Sequence, residues 1–142
     1  MRVTIQKSFG VVLGFSLAFA SSAGAQSVSL DLGEFEYMNS CAVCHGNEAD
    51  GKGPLADMLN VAPPDLTQLQ QNNGGVFPVS AAFAIIEGSA DVGAHGTRQM
   101  PAWGRRYQER AAEDQDFSPL EKENYPTIRI LALIEYLSNI QK

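Results

Sequence analysis

The sequence predicts an all-α fold in which a few helices are joined by long loops. Three segments carry apolar residues at helical spacing, whereas no stretch alternates apolar and polar residues as a half-buried strand does. The remaining chain is rich in residues that interrupt regular structure: Gly46, Gly51, Gly53-Pro54, Pro63-Pro64, Gly74-Gly75, Gly93, Gly96 and Pro101. Because so many loops leave few side chains to bury, we expect the core to need an additional apolar group.

Residues 1–25 have the three parts of a secretory signal. Arg2 and Lys7 form a basic start, residues 9–20 are apolar, and Ala23-Gly24-Ala25 supplies small residues for cleavage. A membrane anchor is the alternative, but the apolar stretch is shorter than the roughly 20 residues that a spanning helix needs. We therefore expect cleavage after Ala25, export, and a mature chain of residues 26–142 that forms one domain without a membrane span.

The charge of the chain is acidic. Ten basic and sixteen acidic residues give a formal net charge of −6, and removal of residues 1–25, with two basic residues and no acidic one, makes it −8. Such a surface repels nucleic acid and anionic lipid, so we expect neither as a partner. A protein with a basic docking patch would be complementary, although acidic residues also serve simply to keep a secreted protein soluble.

The first predicted helix extends from Asp31 to Cys41. Asp31 and Glu34 have the spacing of a capping box, and apolar Leu32 and Phe35 follow at helical positions. This helix would deliver a cysteine directly to the motif that comes next.

The segment Cys41-Ala42-Val43-Cys44-His45 has the Cys-x-x-Cys-His spacing of covalent haem attachment. Two thiols at this spacing can add to the haem vinyl groups, and the histidine then ligates the iron. Cys41 and Cys44 are also the only cysteines in the chain. A thiol–disulfide oxidoreductase is the alternative use of this spacing, but it normally accompanies a βαβ pattern, which is missing here. We therefore predict one haem c, bound through Cys41, Cys44 and His45.

The second predicted helix covers Val79 to Glu87. Pro78 precedes this apolar segment, and Gly88 follows it as a residue that can adopt the left-handed conformation of a helix stop.

Met100 is the predicted second axial ligand of the iron. Pro101 stiffens the loop behind it and removes one backbone donor. We interpret the competing Met38 and Met58 as packing residues, which is the commoner use of methionine. His95 could replace Met100 on the iron or contact a haem propionate, but a histidine in a loop is typically exposed to solvent.

Trp103 and Arg98 flank Met100, and both are candidate haem neighbours. The indole could donate a hydrogen bond and the guanidinium could pair with a propionate. Core packing beside the haem is an equally good interpretation of Trp103.

The end of the chain combines a charged run with a third predicted helix. We interpret residues 105–123 as a solvated surface excursion, with a partner-docking element as the alternative. The helix has Pro126 near its start and apolar residues at helical spacing: Ile130, Leu133, Ile134, Leu137 and Ile140.

Three of these features, in this order, resemble the bacterial class I c-type cytochromes with a single haem. They are Cys-x-x-Cys-His after a first helix, Met-Pro on a late loop, and a final amphipathic helix with the aromatic Tyr136. The resemblance implies a class I cytochrome c fold wrapped around one covalently attached haem, with His45 and Met100 as axial iron ligands. It also implies the periplasm as the location.

The resemblance carries over to two further pairs of residues. Gly33 and Tyr37 match the positions at which the first helix crosses the last, so we expect them to contact the face around Leu133 and Tyr136 or Leu137. Gly53-Pro54 resembles a pair whose proline carbonyl accepts a hydrogen bond from the outer nitrogen of the haem-ligating histidine.

The function implied by the resemblance is single-electron transfer between a redox donor protein and a redox acceptor protein, without enzymatic activity. Compared with ligation by two histidines, methionine opposite histidine favours the ferrous state, so we expect a higher reduction potential. The sequence lacks the lysine-rich rim of some respiratory members, so their docking electrostatics do not transfer. Three alternatives remain: a haem subunit tightly docked on a periplasmic dehydrogenase or terminal oxidase, a haem enzyme or gas sensor with an open coordination position, and the thiol–disulfide oxidoreductase. The chain would be a monomer or a subunit of a redox complex.

Overall fold

The computed structural model describes residues 24–90 and 100–142, and side chains from Asp31 onward within these ranges. The predicted signal peptide up to residue 23, His95 and Arg98 lie outside the described residues. The helices are α1 (Gly24–Ser40), α2 (Ala42–His45), α3 (Leu69–Asn72), α4 (Val79–Glu87), α5 (Trp103–Glu113) and α6 (Pro119–Asn139), with 3₁₀ turns at Ala56–Met58 and Leu66–Gln68. Since the described ranges contain no strand, the predicted all-α class is confirmed.

Helix α1 crosses α6 at the position that the resemblance implied. Gly33 lies against the carbonyl oxygen of Ala132, and a methyl group on Gly33 would be only 2.8 Å from the Cβ of Tyr136. The rings of Tyr37 and Tyr136 pack with their centroids 5.3 Å apart. The expected contact of Gly33 and Tyr37 with the last helix is therefore confirmed.

The predicted start of α1 is wrong. The helix begins at Gly24, so Asp31 lies inside it and does not cap its N-terminus. The predicted end of α1 at Cys41 differs from the structure by one residue. The helix ends at Ser40, and the amide of Cys41 still bonds to the carbonyl of Tyr37 at 2.8 Å. Cys41 therefore follows the helix directly.

Helix α4 has the predicted bounds, Val79 to Glu87. It ends at Gly88, whose φ of 100° is in the left-handed region and whose amide bonds to the carbonyl of Ala84 at 3.0 Å. Ala82 and Ile86 are buried, while Val79, the first residue of the helix, is exposed. The predicted helix stop at glycine is confirmed.

Helix α6 begins seven residues before Pro126. The Ser118 side chain accepts a hydrogen bond from the Glu121 amide, the Glu121 side chain accepts one from the Ser118 amide, and Pro119 occupies the first helical turn. This capping box and the proline after it define the helix start, so Pro126 lies in the interior. Within the described ranges, neither α6 nor any other helix has the length and hydropathy needed to cross a bilayer.

Helix α5 occupies much of the charged run that we interpreted as a surface excursion. Trp103, Tyr107 and Ala111 are buried on one face, and the helix packs against α6 and α4. The surface interpretation is therefore wrong for this helix. Its charges lie on the outer face of an amphipathic segment whose few apolar residues are concentrated on the inner one.

Candidate functional site

The Cys-x-x-Cys-His segment forms a single helical turn. The amides of Cys44 and His45 both bond to the carbonyl oxygen of Cys41, at 3.1 and 2.9 Å. Gly46 ends the turn with a φ of 82°. The buried hydroxyl of Tyr37 donates a hydrogen bond of 2.6 Å to the Gly46 carbonyl, so α1 holds the turn at both ends.

The loop after the turn folds back along it. The amides of Gly53 and Leu55 donate to the carbonyls of Cys44 and Val43, at 3.1 and 2.9 Å. A Cβ atom on Gly53 would lie 2.6 Å from both of these carbonyl oxygens, so only glycine permits this approach. Gly53-Pro54 thus supports the turn through its backbone.

One cavity brings all four predicted site residues together. Cys41, Cys44, His45 and Met100 line a space of about 200 Å³, although Met100 is far from the other three along the chain. Among the methionines in the described residues, Met100 alone lines this cavity. The rest of its wall is mainly apolar and includes Tyr37, Leu59, Val61, Leu66, Leu69, Ile86, Trp103, Leu133 and Leu137.

The carbonyl oxygen beside the His45 ring belongs to Pro64 and not to Pro54. The His45 Nδ1 atom lies 3.4 Å from this oxygen. If Nδ1 carries the proton and donates here, Nε2 keeps the lone pair that a metal ion requires. The Pro54 expectation is corrected because the Gly53-Pro54 segment follows the backbone of the turn, whereas Pro63 and Pro64 line the cavity.

The Cys41 thiol is poorly suited to redox exchange. Burial, followed by the nearby charges of Glu36 and Cys44, raises the pKa of Cys41 to about 12. A thiol–disulfide oxidoreductase needs a thiolate with a lowered pKa. Within the described residues there is also no βαβ unit, so the geometry does not favour that alternative.

Trp103 is buried and lines the cavity next to Met100, which fits both interpretations offered for it. The guanidinium of Arg106 lies 5.0 Å from its ring centroid, in cation–π geometry. The ring of Tyr107, one turn further along α5, is 6.2 Å away. The indole is therefore fixed from the α5 side.

Several exposed apolar side chains belong to the cavity lining or lie within four residues of it along the chain. Met58 is 78% exposed, and Val43, Leu55 and Val61 are also exposed. We call these four residues the apolar rim. The interpretation of Met58 as a packing residue is wrong, because the 3₁₀ turn at Ala56–Met58 lies on the surface; Met38 is 44% exposed and does not pack in the core either.

Sequence reasoning missed one buried charged residue. Glu36 is fully buried, and its carboxylate contacts side chains of α5 and α6. Its position between Gly33 and Tyr37, on the face of α1 that crosses α6, is the sequence feature that could have indicated its burial. Acidic residues are rarely buried in full without a partner, and the partner residues are distant in sequence.

A larger cavity of about 720 Å³ lies elsewhere, between α4, α5 and the middle of α6. Its described lining contains no cysteine, histidine or methionine. The lining includes Ser89 and Pro101, near the ends of the undescribed residues 91–99, so we assign no role to it.

No protein-family model matches this chain, and no curated protein or solved structure matches it either. The interpretation of the site therefore depends on its own residues and their geometry.

Proposed function

We propose that this protein is a periplasmic electron-transfer protein of the class I cytochrome c type. One haem c would be attached through Cys41 and Cys44, with His45 and Met100 as axial ligands of its iron. The protein would transfer single electrons between a donor and an acceptor protein without making bonds to a substrate.

The convergence of Cys41, Cys44, His45 and Met100 on one apolar cavity carries this proposal. Two thiols, an imidazole and a thioether are the groups that attach and ligate a c-type haem, and an apolar wall suits the porphyrin. The four residues come from two distant parts of the chain, so their meeting does not follow from the motif alone. A cavity of about 200 Å³ is below the usual range for pockets that hold a ligand of this size, so a bound haem would extend beyond it toward the surface.

The surrounding residues would each contribute to this function. A bound haem supplies an iron that gains and loses one electron. The Pro64 carbonyl would orient the His45 ring, and Trp103, Leu133 and Leu137 would help to exclude water from the cavity. His45 and Met100 would hold the iron in both redox states, which would keep the reorganisation on electron transfer small.

The apolar rim would form the contact surface for redox partners. Transient electron-transfer contacts are small, and charge guides the partners together. Four exposed apolar residues also suit a longer-lived contact, which favours a second candidate function: a haem subunit docked on a periplasmic dehydrogenase or terminal oxidase. Co-purification at moderate salt separates these two functions, because only the docked subunit stays with its partner.

The deciding experiment is the absorption spectrum of the exported protein, loaded with haem, in both oxidation states. We expect covalently bound low-spin haem and the near-infrared sulfur-to-iron charge-transfer band. Met100→Ala should abolish that band and allow the reduced protein to bind carbon monoxide, because the sixth iron position then opens.

Met58→Ala is the matched control, since Met58 is an exposed methionine outside the cavity. It should keep the band and exclude carbon monoxide as the unmodified protein does. If the unmodified protein already lacks the band and binds carbon monoxide, the haem enzyme or gas sensor is the better interpretation. A spectrum without covalent haem would refute the proposal.

A further inference from the structure

Glu36 is the centre of a buried polar network that joins three helices. Its Oε1 atom accepts a hydrogen bond of 2.5 Å from Nη1 of Arg129 in α6. Its Oε2 atom accepts one of 2.9 Å from the hydroxyl of Tyr107 in α5, and Nη1 of Arg110 lies 3.9 Å from the same oxygen. Glu36 and Tyr107 are both fully buried.

Stability alone does not account for such a network. A buried carboxylate loses its hydration, and the attraction to a cation roughly offsets that loss, so well-packed apolar residues often serve as well. Hydrogen bonds, however, demand particular distances and directions. Burial and the charge of Glu36 raise the pKa of Tyr107, which keeps its hydroxyl protonated as a donor. The network therefore fixes where α5 lies relative to α1 and α6.

The placement of α5 matters because this helix begins just after Met100. Trp103 is its first residue, and both Trp103 and Met100 line the cavity. Tyr107 lies one turn beyond Trp103, with the ring centroids 6.2 Å apart. At the same end, a Cβ atom on Gly104 would lie 2.9 Å from the carbonyl oxygen of Glu87, so α5 is pressed against α4. A shift of α5 would thus reach Met100 through only two intervening residues.

We propose that Glu36 is a positioning residue for Met100: it holds Tyr107, and through Tyr107 helix α5, so that the Met100 thioether stays in the cavity as an iron ligand. This inference depends on the proposed function, because it concerns the same haem site. It assigns Glu36 a role in ligation although Glu36 is not itself a ligand.

The test uses Glu36→Gln and Tyr107→Phe in the exported, haem-loaded protein. The measurements are the sulfur-to-iron band of the oxidised protein and the rate at which the reduced protein binds carbon monoxide. Glu36→Gln should lose most of the band and bind carbon monoxide about tenfold faster or more, as expected for the loss of a hydrogen bond to a charged group. Tyr107→Phe should also weaken the band and speed carbon monoxide binding, but by less than Glu36→Gln does.

Glu109→Gln is the matched control. It makes the same chemical change on α5, but Glu109 is exposed, with its Oε1 atom 3.7 Å from Nε of Arg105. This variant should keep the band and the carbon monoxide rate of the unmodified protein. If Glu36→Gln and Tyr107→Phe behave as Glu109→Gln does, the inference is overturned.

A temperature series separates positioning from general destabilisation. In Glu36→Gln, we expect the band to disappear at temperatures at which circular dichroism still shows intact helices. If band and helices are lost together, Glu36 has only a structural role and the inference fails. Should Glu36→Gln not accumulate, Tyr107→Phe decides the question by the same series, since it removes only one hydroxyl.

The result for the unmodified protein keeps the two proposals apart. If it lacks the band, the proposed function fails and this inference fails with it. If it has the band and both variants keep theirs, only the role of Glu36 is refuted.

Discussion

Two glycines permit close backbone approaches that a side chain would block. Gly33 lets the backbone of α1 touch that of α6, and Gly53 lets the following loop lie on the Cys-x-x-Cys-His turn. At both positions a side chain would collide with backbone atoms, which cannot move aside as the end of a flexible side chain can. Each glycine is therefore required by its neighbours and not by a special backbone conformation.

Gly33→Ala tests the crossing of α1 and α6. Alanine favours a helix by up to about 1 kcal/mol over glycine, but overpacking typically costs about 1–3 kcal/mol, so we expect the clash with Ala132 to dominate. The free energy of unfolding, measured by chemical denaturation, should fall by about 1–2 kcal/mol.

Gly74→Ala provides the comparison. A Cβ there meets nothing within 4 Å, and its φ of 67° leaves only the backbone cost of a left-handed residue, about 1 kcal/mol. An increase in the free energy of unfolding for Gly33→Ala would show that α1 and α6 can move apart at no cost in stability. That result would contradict the close contact of the two helices at Gly33.

At the scale of elements, helices α5 and α6 decide how the second half of the chain reaches the cavity. Helix α6 supplies Leu133 and Leu137 to the cavity wall, and α5 follows the Met100 segment. The C-terminus is also tied down, because the Gln141 side chain accepts from the Gln70 amide at 2.9 Å and donates to the Leu66 carbonyl at 2.8 Å. These hydrogen bonds hold the C-terminus against residues 66–70, which include Leu66 and Leu69 of the cavity wall.

Ser118→Ala tests the capping box that starts α6. We expect the free energy of unfolding at pH 7 to fall by about 1 kcal/mol, the usual cost of losing a serine cap. Hydrogen bonds from the Ser118 side chain and then from its amide lower the pKa of Glu121 below its usual value of 4.5. A group whose pKa is lower in the folded state than in the unfolded state stabilises the fold at pH values above its unfolded pKa. This stabilisation is lost as the pH falls through the folded pKa.

The difference in unfolding free energy between Ser118→Ala and the unmodified protein should therefore be full at pH 6–7 and shrink as the pH falls below 4.5. Denaturant titrations over this pH range measure it. Ser138→Ala, at the other end of α6, removes an exposed hydroxyl that donates to the Glu135 carbonyl, and it should change little. A difference that grows on acidification would contradict the assigned role of Glu121.

At the scale of the whole molecule, the core is assembled around the cavity. The buried hydrophobic cluster includes Trp103, Leu133 and Leu137, which are also part of the cavity wall. A haem attached there would cover apolar surface that few side chains are available to bury. Stability should therefore depend on cofactor attachment.

The double variant Cys41→Ala/Cys44→Ala, which cannot form thioethers, tests this dependence. Its unfolding midpoint should lie at least about 10 °C below that of the haem-loaded protein, or it should fail to fold cooperatively. Thermal unfolding followed by circular dichroism measures the midpoint. Equal midpoints would show that the helices form a sufficient core without the cofactor.

The sequence by itself determined the all-α class, the bounds of α4 and the four residues that line one cavity, and its resemblance to a known family implied the crossing marked by Gly33 and Tyr37. These features depend on local spacing or on residue types with few uses, such as paired cysteines before a histidine. Only the tertiary structure decided that Pro64 and not Pro54 faces His45, that Glu36 is buried, and that the charged run forms a packed helix. A carbonyl can face any side chain that the fold brings near it. A buried carboxylate and an amphipathic helix likewise require distant partners, whose positions local sequence does not encode.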